Sequence, residues 1–208
     1  MFGWLLKGAT EGEWTSPMSD EKLKRFRQMR SMTEAERTAL AIEYICEVCS
    51  MVSSAELAEV MLAQIRRQPP EIFWPVFFQN WPSCDDTWYL RDDLLWQLQR
   101  NEEAAPGVNF LCAEARAAYD ALPDQVKVFR GSSRERVMGI SWTTDRDIAI
   151  GFAQGHRGRK VTDPVIASGV VPKWALYGVC IDRGEADVIL DPQYVDEIEL
   201  EGAPAGPE

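Results

Sequence analysis

The sequence predicts an α+β protein, with a helical N-terminal part followed by a run of strands. Two observations carry this reading. Up to about residue 125 the apolar residues recur at helical spacing and capping residues precede them. After Pro123 the texture changes to short runs rich in β-branched residues, with one helical stretch, residues 145–154, among them. The 208 residues are 46% hydrophobic and 26% charged, which is enough apolar material for a packed core and too much for disorder. The expected organisation is a helical region over 1–125, a strand-rich core over 126–200 and a frayed tail over 201–208.

Taken in order, Thr33-Glu34-Ala35-Glu36 has the form of a capping box, and helix formers follow to about Met51. Ser53 or Ser54 can cap a second helix, in which Leu57, Val60, Met61 and Ile65 mark one buried face and Pro69-Pro70 the stop. The aromatic stretch Phe73 to Trp81 fits either a core or a ligand groove, and core is the commoner use of such density. A helix ending near Asn101 and a short one from Phe110 to Ala121 complete the helical part. Strands are expected at 126–131, 165–171, 176–181 and 188–190.

Composition excludes several function classes. The net charge is −11, from 22 Lys/Arg against 33 Asp/Glu, which disfavours a protein whose affinity comes from nucleic-acid phosphates. No apolar run approaches the ~18 residues of a membrane span, and the first residues do not resemble a secretion signal. Five cysteines without such a signal suit a reducing, cytoplasmic setting. Cys46-x-x-Cys49 lies in a segment that reads as helix; with His156 the only histidine there is no second ligand pair, so no metal is expected. Charge also segregates. Residues 127–160 carry eight Lys/Arg and three acids, whereas 182–208 carry one Arg and nine acids. A basic stretch inside an acidic protein suits a small anionic ligand better than a polyanion track, so a nucleic-acid partner is the weaker expectation.

Three short pieces place polar residues on or beside strands. They are Phe129-Arg130-Gly131, Ser141-Trp142-Thr143 and Glu185-Ala186-Asp187. Singly, Arg130 could pair with a surface acid, Ser141, Thr143 or Thr144 could cap the next helix, and the two acids could belong to an ordinary turn. In this order and spacing the pieces resemble the Arg–Ser–Glu branch of the mono-ADP-ribosyltransferases. That branch has an aromatic-Arg strand, a Ser-Thr-Ser-like strand and a Glu-x-Glu turn before a strand. The resemblance covers about residues 126–200, and Gly169 to Leu176 is similar to the strand before the acidic turn. One departure is Asp187, where the family's last acid is normally Glu.

The resemblance implies a split β-sandwich core and an enzyme that uses NAD as substrate, without a metal, to modify a macromolecule. The acceptor it favours is an arginine of a target protein, and the setting that of a bacterial or phage toxin or effector. Asp187 would stabilise the oxocarbenium-like ribose as the nicotinamide bond breaks. Ser141 would hold that carboxylate, Arg130 would pair with the pyrophosphate, and Gly131 would let the backbone approach the nicotinamide carboxamide. Phe152 or Trp142 would stack on the nicotinamide ring, with Thr143 beside them, and Glu185 would orient the acceptor. His156 stands apart from these motifs, which disfavours the poly-ADP-ribosylating branch. The rival expectations are a catalytically silent binding or inhibitory protein and an NAD hydrolase. The helical part would cover the cleft or recognise the target.

Overall fold

The computed structural model describes residues 31–155, 161–181 and 187–204. Two compact units divide the chain at Leu40/Ala41, so the expected junction near residue 125 falls inside the second unit. In the first unit the capping box at Thr33 forms in full. The Glu36 backbone N–H donates to Thr33 Oγ1 at 3.2 Å and the Thr33 N–H to Glu36 Oε2 at 2.7 Å. These bonds hold the Glu36 carboxyl below its ordinary range and start helix α1, Glu34–Ser50.

The second unit, Ala41–Glu208, continues with α2 (Ser54–Ile65), α3 (Pro70–Asn80), α4 (Arg91–Ala104) and α5 (Ala113–Asp120). Ser53 takes the N-cap position of α2, with its carbonyl accepting from Leu57 N at 2.9 Å. Leu57, Met61 and Ile65 are buried as their spacing predicts, while Val60 is half-buried and Leu62 takes the inner place. Pro70 opens α3 at a position where its missing N–H costs no helical bond. The aromatic stretch is core: Phe73, Trp74 and Phe77 are buried, and Trp74 meets Phe73 edge-on with ring centres 5.0 Å apart. Trp81 stacks on Phe77 at 5.0 Å and marks the end of that core.

Six strands follow: β1 (Gln125–Ser133), β2 (Ser141–Thr143), β3 (Pro164–Pro172), β4 (Leu176–Cys180), β5 (Asp187–Leu190) and β6 (Asp196–Gly202). All paired strands are antiparallel and stand in the order β4-β5-β2-β1-β3-β6. Helix α6, Arg146–Ala153, follows β2. Strand β6 has no counterpart in the sequence expectation, because its face pattern is almost wholly exposed and acidic and so lacks alternation. It extends two residues into the stretch expected to fray: Glu201 pairs with Ile166 and Gly202 with Val165, and Arg146 Nη2 holds the Glu201 carboxylate at 2.6 Å.

The sheet is thin at its middle. Strands β1 and β3 pair over nine positions, yet β1 and β2 share one, Phe129 with Thr143. The sheet is therefore two three-stranded halves joined at one point. One face of β1, β2 and β5 packs Val126, Val128, Trp142, Val188 and Leu190 into a core of its own. From the other face Ile189 joins the helical core around Phe73, Trp74 and Leu98, as does Cys180 of β4. That shared core is why helices 41–121 and the sheet form one unit.

Candidate functional site

The site grows from the seam between β1 and β2. Register places Phe129, Thr143 and Asp187 in one row across β1, β2 and β5, so their side chains share a face. Period-two alternation adds Gly131 and Ser141 to that face and puts Trp142 on the other. Above them lies an open cleft of about 620 Å³, within the roughly 300–1,000 Å³ span of cofactor sites. Arg130, Gly131, Ser141, Trp142, Thr143, Phe152 and Asp187 all line it. Glu185 and His156 lie outside the described residues.

Arg130 belongs by alternation to the Trp142 face, yet it reaches the cleft because β2 stops pairing with β1 beyond Phe129. Its guanidinium fills that gap. Nη1 donates to Ser141 O on β2 and Nε to Arg136 O, in the turn after β1, at 3.2 Å. Among the described residues these bonds occupy two of its five N–H donors. Burial pushes the group down to about 10, opposed by the charge of Asp187 and reinforced by Arg136 and Arg91, so it stays cationic at neutral pH. Gly139 makes the seat: a Cβ there would overlap the guanidinium, standing 2.9 Å from Nε.

The strand register decides how the expected site residues stand to one another. Thr143, not Ser141, stands across from Asp187; Ser141 faces Ile189, two pairs further along. A three-residue β2 carries hydroxyls at both of its ends on the same face, so only the register decides which one meets the acid. The cap of α6 is Asp145, whose Oδ1 accepts from Asp147 N at 2.8 Å, while Thr143 Oγ1 accepts from Asp145 N at 3.1 Å. Gly131 is required by packing. A Cβ would collide with Ala149 O and lie 2.6 Å from Ala153 N, so its bare backbone is covered by α6. Trp142 is 1% exposed, with Nε1 bonded to Gly139 O at 2.8 Å, and its ring belongs to the core. Phe152 is half-buried, which leaves it as the aromatic of the two with ring surface at the cleft. Asp187 is 8% exposed and borders the cleft at the start of β5.

Residues 81–88 of the helical part, which the sequence expected to cover the cleft only in general terms, also line it. Asp86 accepts from Arg136 Nη1 at 3.0 Å, Asp85 accepts from Ser54 Oγ at 2.6 Å, and Arg91 Nε donates to Met138 O. The sequence signal was the Asp85-Asp86 pair beside Trp88, but the partners of these acids lie some thirty to fifty residues away. Ser133, also missed, lines the cleft with a buried hydroxyl that has no hydrogen-bond partner among the described residues.

The cysteines stand apart from this chemistry. Cys84 edges the cleft, but burial pushes its thiol up to about 12, and that of Cys49 to about 11. Among the described residues no helix is long and apolar enough to cross a membrane. No protein-family model, curated protein or solved structure matches the chain.

Proposed function

We propose that the chain is an NAD-dependent mono-ADP-ribosyltransferase with a macromolecular acceptor, an arginine of a target protein being the favoured one. The observation that carries this reading is the meeting of Arg130, Thr143 and Asp187, from three adjacent strands, around one cleft. The two half-sheets joined at Phe129–Thr143 correspond in this reading to the split sandwich of that superfamily.

In the reaction the N-glycosidic bond of NAD breaks and nicotinamide leaves with the electron pair. The ribose carbon then bonds to the acceptor nitrogen, which loses a proton. Asp187, buried to 8% exposure, offers its carboxylate to the positive charge that develops on the ribose, an interaction stronger in the transition state than in bound NAD. Thr143 stands across the strand pair from that acid in the place the resemblance gave to Ser141. Among the described residues Arg130 keeps donors in excess of its two carbonyl bonds and suits the pyrophosphate. The Ser133 hydroxyl, unpartnered among the described residues, is a further donor for the dinucleotide. Phe152 offers its ring to the nicotinamide. Wall residues 81–88 would close the far side and help exclude water.

The test is intact-mass spectrometry of arginine-bearing target proteins incubated with NAD and the pure protein. The expected result is a mass gain of one ADP-ribose per modified acceptor, lost in the double variant Arg130→Ala, Asp187→Ala. Nicotinamide release without any labelling would make it an NAD hydrolase. Absence of NAD binding by calorimetry would make it a binding protein, and full activity of the double variant would remove the site assignment.

A further inference from the structure

A second cavity, of about 320 Å³, opens at the other end of β5 from Asp187. Its rim is a pair of aromatic rings. Trp174 is 67% exposed and meets Tyr194 edge to face, with ring centres 5.0 Å apart. An exposed tryptophan held in place by a second ring is uncommon on a surface with no further use for it. Deeper in lie Tyr177 and the carboxylate of Asp191, which is 3% exposed. Glu102 and Glu103, from the last turn of α4, complete the lining that matters here.

The electrostatics of this cavity are one-sided. Asp191 accepts from the Gln99 and Gln193 side-chain amides at 2.7 Å each, from Gln193 N at 3.0 Å and from the Tyr177 hydroxyl at 3.5 Å, all neutral donors. Buried charges are normally paired, and among the described residues Asp191 makes no ion pair. Glu102 and Glu103 sit at the C-terminal end of a helix, where the backbone dipole already disfavours negative charge and where the last turn holds no basic residue. Burial raises the Glu102 carboxyl above its ordinary value, offset only by the Gly107 N–H. No Lys or Arg lines the cavity among the described residues. The adjacent Lys173 is turned away, its ammonium held by Asp120 O at 3.0 Å and Leu122 O at 2.9 Å.

We infer that this cavity binds an organic cation, a guanidinium or alkylammonium group that stacks on Trp174 and is drawn in by Asp191, Glu102 and Glu103. Ring faces attract such cations, and the attraction grows as the cation leaves water. The carboxylates give the pocket its sign, and their uncompensated charge is what the ligand neutralises. The cation could be carried by a small molecule or by an arginine or lysine side chain of a partner protein. The inference does not depend on the reading of the first cleft, since the two sites share no lining residue.

The test follows the Trp174 indole N–H by NMR of the full chain, assigned with Trp174→Phe. Arginine methyl ester and a short peptide with one arginine are titrated in parallel with the neutral citrulline ester. The expected result is a saturable shift of the Trp174 signal with both cations and none with citrulline. Affinity, read for the variants by calorimetry, should fall about tenfold in Trp174→Ala, fall in Glu103→Gln, and weaken as salt is raised. Both positions are exposed, so both variants retain the fold, checked by circular dichroism. Tighter binding of the peptide than of the ester would assign the site to a protein-borne side chain, and equal binding to a free cation. No shift at roughly 50 mM ester, far above millimolar affinity, would overturn the inference, as would an equal response to citrulline or in the variants.

Discussion

Arg130 and Gly139 are shaped to each other: the guanidinium lies against the bare α-carbon of Gly139, where any Cβ would overlap it. The contact holds the half-buried Arg130 guanidinium in the gap that β2 leaves beside β1. Gly139→Ala should displace Arg130 and weaken ADP binding about tenfold, at a cost of about 1–3 kcal/mol in stability. Calorimetry with ADP and urea unfolding check the two effects separately. Unchanged binding would show that the seat is unimportant.

The register across β2 and β5 makes a sharper test of the acid's partner. Because Thr143 stands across from Asp187 and Ser141 does not, Thr143→Val should reduce nicotinamide release at least tenfold while Ser141→Ala changes it by less than about threefold. The reverse ranking would restore Ser141 to the role that the resemblance assigns it.

At Asp187 itself, charge and length can be separated. Asp187→Asn keeps the shape and removes the charge, so turnover should fall by about a hundredfold or more with NAD affinity little changed. Asp187→Glu keeps the charge and should retain turnover within about tenfold. Steady-state kinetics of nicotinamide release reads both.

Helix α6 and β1 give a pair of glycine variants of opposite sign. Gly131→Ala would drive a Cβ into Ala149 O and should cost about 3 kcal/mol or more. Gly151→Ala, in α6 itself with open space around it, should stabilise by about 0.5–1 kcal/mol. Urea midpoints distinguish them.

Alkaline pH should unfold the protein early. Burial raises the thiols of Cys49, to about 11, and Cys84, to about 12, and raises the Tyr177 hydroxyl. Above pH 9 the unfolded chain loses these protons first, so the folded state holds more protons and stability falls as pH rises. Arg130 acts in the opposite sense above about pH 10, since its folded form gives up its proton before the unfolded one. Burial raises the Cys46 thiol and the Tyr119 hydroxyl as well, so with five groups against one the melting temperature should drop by roughly 5 °C between pH 8.5 and 11, and by less in Cys49→Ala, Cys84→Ala. At pH 8 alkylation should label exposed Cys112 first.

The residues themselves determined a good deal. Thr33 and Glu36 announced a helix start because a capping box is a local bond pattern. Helical periodicity placed Leu57, Met61 and Ile65 inside, and β-branched runs located β1, β3, β4 and β5, since these signals depend on neighbours in the chain. Arg130, Thr143 and Asp187 were also legible as candidates, because the order and spacing of their short motifs resemble those of a known family. What the chain could not disclose is how strands far apart in sequence come to lie side by side. Only pairing in three dimensions set Thr143 rather than Ser141 against Asp187, turned Trp142 inward, and spent the space over Gly131 on α6. It alone brought residues 81–88 to the cleft and Trp174 beside Tyr194. A one-residue change of register would exchange every side chain between the two faces of a strand, and that choice is made by long-range packing.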